Sequence, residues 1–210
     1  MFAAVVVLIA AYFLGAIPFA LLVTRWGTGV DVRRVGSGNP GAANVWRSTG
    51  PALGLSVLVL DCAKGAAAVM IARAAGLDHE TQALAGLAVV LGHVFPPWLR
   101  FHGGKGVAAA AGAFVIVSPI ALGVAFVAFA IAVALTRYVS LGSVLGAIAL
   151  VVSVIVLREP SGVIGAAALV AMVIILRHRE NIARLRRGTE LRVDSADVRG
   201  DHAITHKESK

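Results

Sequence analysis

Charge is scarce in this sequence. Only 14% of its 210 residues are Asp, Glu, Lys or Arg, against about 25% in soluble domains. With 59% hydrophobic residues as well, the chain lacks the polar surface of a soluble domain and reads as a polytopic membrane protein. Cysteine is nearly absent. Cys62 stands alone, which excludes an internal disulfide. It lies in an apolar run, where burial favours an inert thiol over a nucleophile. No long polar stretch separates the apolar runs, so a single domain is expected. The surplus of cations, 19 Lys and Arg against 11 Asp and Glu, does not point to nucleic acid. The cations sit in short loops beside apolar runs, without a basic stripe interleaved with aromatics.

The uncharged runs cover Phe2–Thr24, Ala83–Leu99, Gly106–Thr136, Tyr138–Leu157 and Ser161–Leu176; Pro51–Ala72 is broken only by Asp61 and Lys64. The first run is too long for a signal-peptide core and reads as a retained helix. Gly106–Thr136 would extend about 46 Å as one helix, too long for one crossing of the bilayer. Ser118-Pro119 divides it, serine as an N-cap and proline at the first helical position. Seven transmembrane helices result, some short or broken, as an all-α bundle. The basic loops place the N-terminus outside and the C-terminus in the cytoplasm. Residues 1–192 form one integral-membrane domain, and 193–210 are expected to be a loosely ordered cytoplasmic tail.

Three glycine-rich, charged segments punctuate the apolar runs. The first contains Ser37, Gly38, Asn39, Pro40 and Gly41, then Asn44, Trp46 and Arg47. Its turn residues suit an anion-binding nest of backbone amides, and Asn44 and Arg47 share a helical face. A plain loop with a helix cap explains it equally well. The second runs from Gly92-His93 to Gly103-Gly104-Lys105-Gly106. It resembles a phosphate cradle at a helix N-terminus. It is not a Walker A motif, because Leu99 stands where glycine is needed and Gly106 where Ser or Thr is needed. The bland alternatives are a flexible loop with a snorkelling lysine and a packing histidine. The third carries His178, Asn181 and Arg184 on one helical stripe, then Gly188, Thr189 and Glu190. Arg186 and Arg187 suit anionic headgroups. Asp61 and Lys64, three apart within a span, read as a mutual salt bridge, with Lys64 facing a polar cavity as the alternative.

Together the segments resemble the bacterial acyl-phosphate:glycerol-3-phosphate acyltransferase family, the PlsY-type membrane acyltransferases. The match covers residues 1 to about 192. It comprises Ser-Gly-Asn-Pro-Gly-x-x-Asn-x-x-Arg from Ser37 to Arg47, Gly-His-x-x-Pro with Phe-x-Gly-Gly-Lys-Gly-Val-Ala from Gly92 to Ala108, and Arg-His-x-x-Asn-x-x-Arg-x-x-x-Gly-x-Glu from Arg177 to Glu190. The resemblance implies transfer of a fatty acyl group from acyl phosphate to the sn-1 hydroxyl of glycerol-3-phosphate. The products are lysophosphatidic acid and phosphate, the first step of phospholipid synthesis. No cofactor, metal or covalent acyl-enzyme is implied, and no His-x-x-x-x-Asp acyltransferase motif is present. Lys105, His178, Asn181 and Ser37 are the candidate catalytic residues. Substrate binding is expected of these four together with Gly38, Asn39, Asn44, Arg47, His93, Gly103, Gly104, Gly106 and Glu190. The partners implied are the two substrates and membrane lipid, with the enzyme that makes acyl phosphate a further candidate that the sequence does not identify. The location implied is the bacterial plasma membrane. A transporter of organic phosphates is the rival reading, since broken helices also mark transporters; the chain shows no convincing internal repeat.

Overall fold

The structure, a computed structural model, describes residues 1–193; the rest of the expected tail lies outside the described residues. All regular elements among the described residues are helical. The chain begins with α1 (Phe2–Gly15) and α2 (Phe19–Thr28), parts of one apolar stretch interrupted at Ile17-Pro18. Pro18 has no N–H to continue the helical ladder. The carbonyls around this break take side-chain donors instead: Ala16 accepts from Trp98 Nε1 at 2.7 Å and Ile17 from Lys64 Nζ at 2.9 Å.

Short α3 (Ala42–Thr49) leads into long α4 (Pro51–Ala74), which starts on a proline at its first position. Next comes α5 (His79–Val94), N-capped by Asp78, whose side chain accepts the Thr81 N–H at 2.8 Å. The long uncharged run then divides as expected, into α6 (Val107–Val117) and α7 (Pro119–Thr136). Ser118, however, does not cap α7 with its side chain. Its hydroxyl instead donates to Glu159 Oε1 at 2.7 Å, which turns the side chain toward the α8–α9 turn.

The chain closes with α8 (Val139–Val156), α9 (Ser161–Arg177) and α10 (Arg179–Arg186). The last two do not form the single stripe expected from the spacing of His178, Asn181 and Arg184. They bend by 54° at His178. The polar, arginine-rich α10 cannot extend the apolar axis of α9, so it turns aside. By length and composition five helical stretches can cross a membrane, or six if α9 and α10 count as one. α6, with 11 residues, rises only about 16 Å, half of a hydrocarbon core.

Small residues let the helices meet closely. α4 crosses α6 at Gly65 and Gly112: a Cβ on Gly65 would overlap the Ala109 carbonyl, and one on Gly112 the Cys62 carbonyl. Backbone-to-backbone approach of this kind is how membrane helices gain packing energy without help from water. The core alongside is mostly buried Val and Ala, with one large ring, Phe114, fully buried.

Polar ties mark the two ends of the bundle. At one end Glu159 gathers Ser118 and His79, the latter at 3.4 Å, so the α6–α7 break, the start of α5 and the α8–α9 turn lie together. At the other end the Arg137 carbonyl accepts the Val193 N–H at 2.9 Å, and Arg192 lies over the Tyr138 ring at 5.7 Å. The α7–α8 turn therefore shares an end with the last motif.

Candidate active site

The second and third motifs meet through side chains. Lys105 Nζ donates to Asn181 Oδ1. Asn181 Nδ2 donates to Glu190 Oε1 at 2.6 Å, and Arg184 Nε donates to Glu190 Oε2 at 2.8 Å. Asn181 and Arg184, three apart in α10, thus share the face that meets Glu190. Gly188, at φ 68, turns the chain so that Glu190 folds back onto that face. Its side chain is only 5% exposed. Burial disfavours its charge, but the hydrogen bonds from Asn181 and Arg184 outweigh this and hold its carboxyl below the usual range.

Lys105 sits just before α6, beyond the glycine pair. Burial pulls its ammonium down to about 8; Glu190 opposes this, while Arg184, Arg47 and Arg177 reinforce it. The list of perturbing charges defines the site. Arg47 from the first motif, Lys105 from the second, and Arg177 and Arg184 from the third crowd one region, with Glu190 among them and Glu180 near Arg177. Such an excess of half-buried positive charge is unfavourable until anions enter, and suits phosphates.

His178 stands at the bend, 3% exposed. Its Nδ1 lies 2.7 Å from the Ile174 carbonyl. A carbonyl only accepts, so Nδ1 carries the hydrogen and the neutral ring presents Nε2 as an acceptor. Asn181 is one turn further on and also buried.

The glycine amides behave differently from the expected cradle. Gly103 donates its N–H to the Val94 carbonyl at 3.0 Å, and Gly104 to the His93 carbonyl at 3.2 Å. Both amides fasten the loop to the end of α5, leaving the donors for an anion to come from the first turn of α6, which helix geometry leaves unpaired. The glycines are needed for space. A Cβ on Gly104 would collide with His93 Nε2, and one on Gly103 with the His93 carbonyl. Arg177 Nη2 donates to the Gly103 carbonyl at 3.0 Å, stitching the third motif to this loop. Gly106, at φ 88, adopts a backbone that side chains resist.

His93 is placed behind the loop rather than in front of it. It is 8% exposed, and its Nδ1 faces Asp61 Oδ1 at 3.4 Å.

In the first motif, Asn44 is 1% exposed and committed to backbone. Its Nδ2 donates to the Val32 and Val35 carbonyls, both at 3.1 Å, and its Oδ1 accepts the Ser37 N–H at 2.9 Å. It acts as the anchor of the turn that presents Ser37, which is exposed. Gly38, at φ 70, donates to Val35 within the same turn. Asn39 and Pro40 precede α3, and Pro40 reaches a crevice shared with His93, Gly103 and Gly104. Arg177 and Arg184 are not among the site residues expected from the sequence, although both stand in the third pattern and Arg184 shares the stripe of His178 and Asn181.

A helical bundle with half-buried arginines and a lysine collected at one end, beside a histidine that offers a ring nitrogen as acceptor, is the arrangement of a membrane protein suited to anionic substrates at the bilayer surface. Comparison with known proteins makes the class specific. The family model for glycerol-3-phosphate acyltransferase matches residues 5–188. A glycerol-3-phosphate acyltransferase of Desulforamulus reducens is 43% identical over 90% of this chain and 94% of its own length. Glycerol-3-phosphate acyltransferase 1 of Deinococcus radiodurans is 46% identical over 90% and 96%. The crystal structure of PlsY (YgiH), an integral membrane glycerol 3-phosphate acyltransferase, superposes with a TM-score of 0.86 in its glycerol 3-phosphate form, at 41% identity over 90% of this chain and 94% of that one. Its lysophosphatidic acid form gives 0.83 at 40% identity. The chain belongs to the glycerol-3-phosphate acyltransferase family of integral membrane proteins, and so to phospholipid biosynthesis.

Proposed function

We propose that the protein moves a fatty acyl group from acyl phosphate to the sn-1 hydroxyl of glycerol-3-phosphate, releasing lysophosphatidic acid and inorganic phosphate. The observation that carries this reading is the convergence of Arg47, Lys105, Arg177 and Arg184 beside the His178–Asn181 pair. Both substrates are phosphate anions, and the donor is already activated. The enzyme's task is to hold two anions close, a positioning effect worth about 7–11 kcal/mol of barrier.

The hydroxyl oxygen attacks the acyl carbon, and the bond from that carbon to the phosphate oxygen breaks. Charge grows on the carbonyl oxygen and on the departing phosphate. Lys105 and the first amides of α6 are suited to stabilise it. His178 Nε2 accepts the hydroxyl's hydrogen bond and orients it, the hydroxyl proton ends on the departing phosphate, and Asn181 fixes the lysine. Arg47, with the Ser37 turn, binds the phosphate of glycerol-3-phosphate. No protein nucleophile is required.

The topology we propose has seven crossings, α6 being the short one, with the motif end in the cytoplasm of a bacterial plasma membrane and the N-terminus outside. Residues 1–192 act as one domain. Lipid headgroups and the two substrates are its partners, and no cofactor takes part.

The test is direct. Purified protein in detergent is given glycerol-3-phosphate with acyl phosphate, acyl-CoA or acyl-carrier protein. Acyl phosphate should be the one efficient donor. Equal turnover with acyl-CoA would overturn the donor assignment, and no turnover without a sealed membrane would favour transport.

A further inference from the structure

Asp61, Lys64 and His93 form a buried polar cluster that the proposed reaction does not use. Lys64 Nζ lies 2.8 Å from Asp61 Oδ1, with the two side chains 2% and 3% exposed. Asp61 also faces His93 Nδ1 at 3.4 Å. The remaining bonds of the cluster lead outward to the motif loops. Lys64 donates to the Ile17 carbonyl at the α1–α2 break and stacks its ammonium over the Phe19 ring at 5.4 Å. The His93 carbonyl accepts the Gly104 N–H, and the His93 ring is the wall against which Gly104 packs. A crevice of about 10 Å³ joins these side chains to Pro40 of the first motif, room for about one water.

A buried ion pair in a membrane helix is costly and rarely retained for stability alone. This one touches neither the lysine nor the arginines of the site. It touches what holds them. Lys105 follows Gly104 directly, so a rotation of the His93 ring would displace the lysine.

We propose that Asp61 and Lys64 are positioning residues: Asp61 fixes the His93 ring, the ring sets the Gly103–Gly104 turn, and the turn places Lys105, while Lys64 locks the α1–α2 break beside it. The inference rests on the reading that Lys105 contacts substrate phosphate.

The test compares three folded variants with the parent by thermal melting in detergent and by initial rates with glycerol-3-phosphate varied. Asp61→Asn/Lys64→Met removes both charges at similar volume, so no buried ion is orphaned. His93→Phe keeps a ring against Gly104 but loses the polar contact with Asp61. The third variant combines all the changes. The double variant, which leaves the Ile17 carbonyl without its Lys64 donor, should still fold with a modestly lowered melting temperature, yet lose roughly tenfold to a hundredfold in kcat/KM, mostly through KM, as expected for a displaced contact. Adding His93→Phe should cost less than about twofold more, because the residues act in series. Parent-like kcat/KM in the folded double variant would show that the pair only packs, and multiplicative losses would show separate routes; either overturns the proposal. If the double variant fails to fold, His93→Phe alone decides, with an unchanged KM counting against it. Lys105→Ala separates the two levels: an active Lys105→Ala would sink the phosphate reading itself, whereas an inactive one beside normal cluster variants would sink only the positioning role.

Discussion

Single residues in this site divide into those aimed at substrate and those that hold backbone in place. Lys105 belongs to the first group. Its ammonium, held at about 8 by burial and by neighbouring arginines, is charged below that pH and neutral above it. Since kcat/KM reports the free enzyme, it should fall above about pH 8, by roughly tenfold per unit. Lys105→Arg, which does not deprotonate there, should remove the bend from the profile. Lys105→Ala should nearly abolish turnover while the melting temperature holds. Asn44 belongs to the second group. Asn44→Ala would orphan the Val32 carbonyl and the Ser37 N–H, each costing about 1–3 kcal/mol if left dry; the Val35 carbonyl keeps the Gly38 N–H. A clear drop in melting temperature is expected, whereas Arg47→Ala should lower activity and leave the melt unchanged. Differential scanning fluorimetry beside initial rates separates the two.

At the scale of helices, the bundle depends on close backbone approach. Gly112 meets the Cys62 carbonyl and Gly65 meets that of Ala109, so α4 and α6 cannot part without moving the loop that starts α6. A Gly112→Val substitution should force the helices apart and cost at least about 1–3 kcal/mol of overpacking. Because Lys105 precedes α6, activity should fall with stability in this variant, unlike Lys105→Ala. Gly123, where a Cβ would have open space around it, is the control: Gly123→Ala should be neutral or slightly stabilising by the helix preference of alanine. Parent-like melting of Gly112→Val would show that the α4–α6 contact is looser than its geometry.

For the whole molecule, the arrangement of ends carries the topology. Ser118, His79 and Glu159 meet at one end, and Arg137 joins the third motif at the other. Single cysteines in a Cys62→Ala background test how these ends face the membrane. Ser118 is 2% exposed, so exposed Pro119 is the better probe on that side, paired with exposed Arg137 on the other. An impermeant thiol reagent on intact cells should label Pro119→Cys and spare Arg137→Cys. Labelling of position 137 from outside would reverse the proposed orientation.

The sequence by itself determined the membrane class, the all-helical architecture, the division at Ser118-Pro119 and the three polar segments. Hydropathy, proline and helical hydrogen bonding act over a few residues, so one chain read along its length suffices. The tertiary structure decided the rest. It showed that α9 and α10 part at His178, that Gly103 and Gly104 spend their amides on the end of α5, that Asn44 anchors a turn, and that Asp61 lies beside His93 as well as Lys64. Each depends on which groups far apart in sequence come within bonding distance. Lys105 and Asn181 are 76 residues apart and touch. No local period encodes that contact. It arises when packed helices bring two loop ends to one place, where a half-buried cation and a buried amide must find partners.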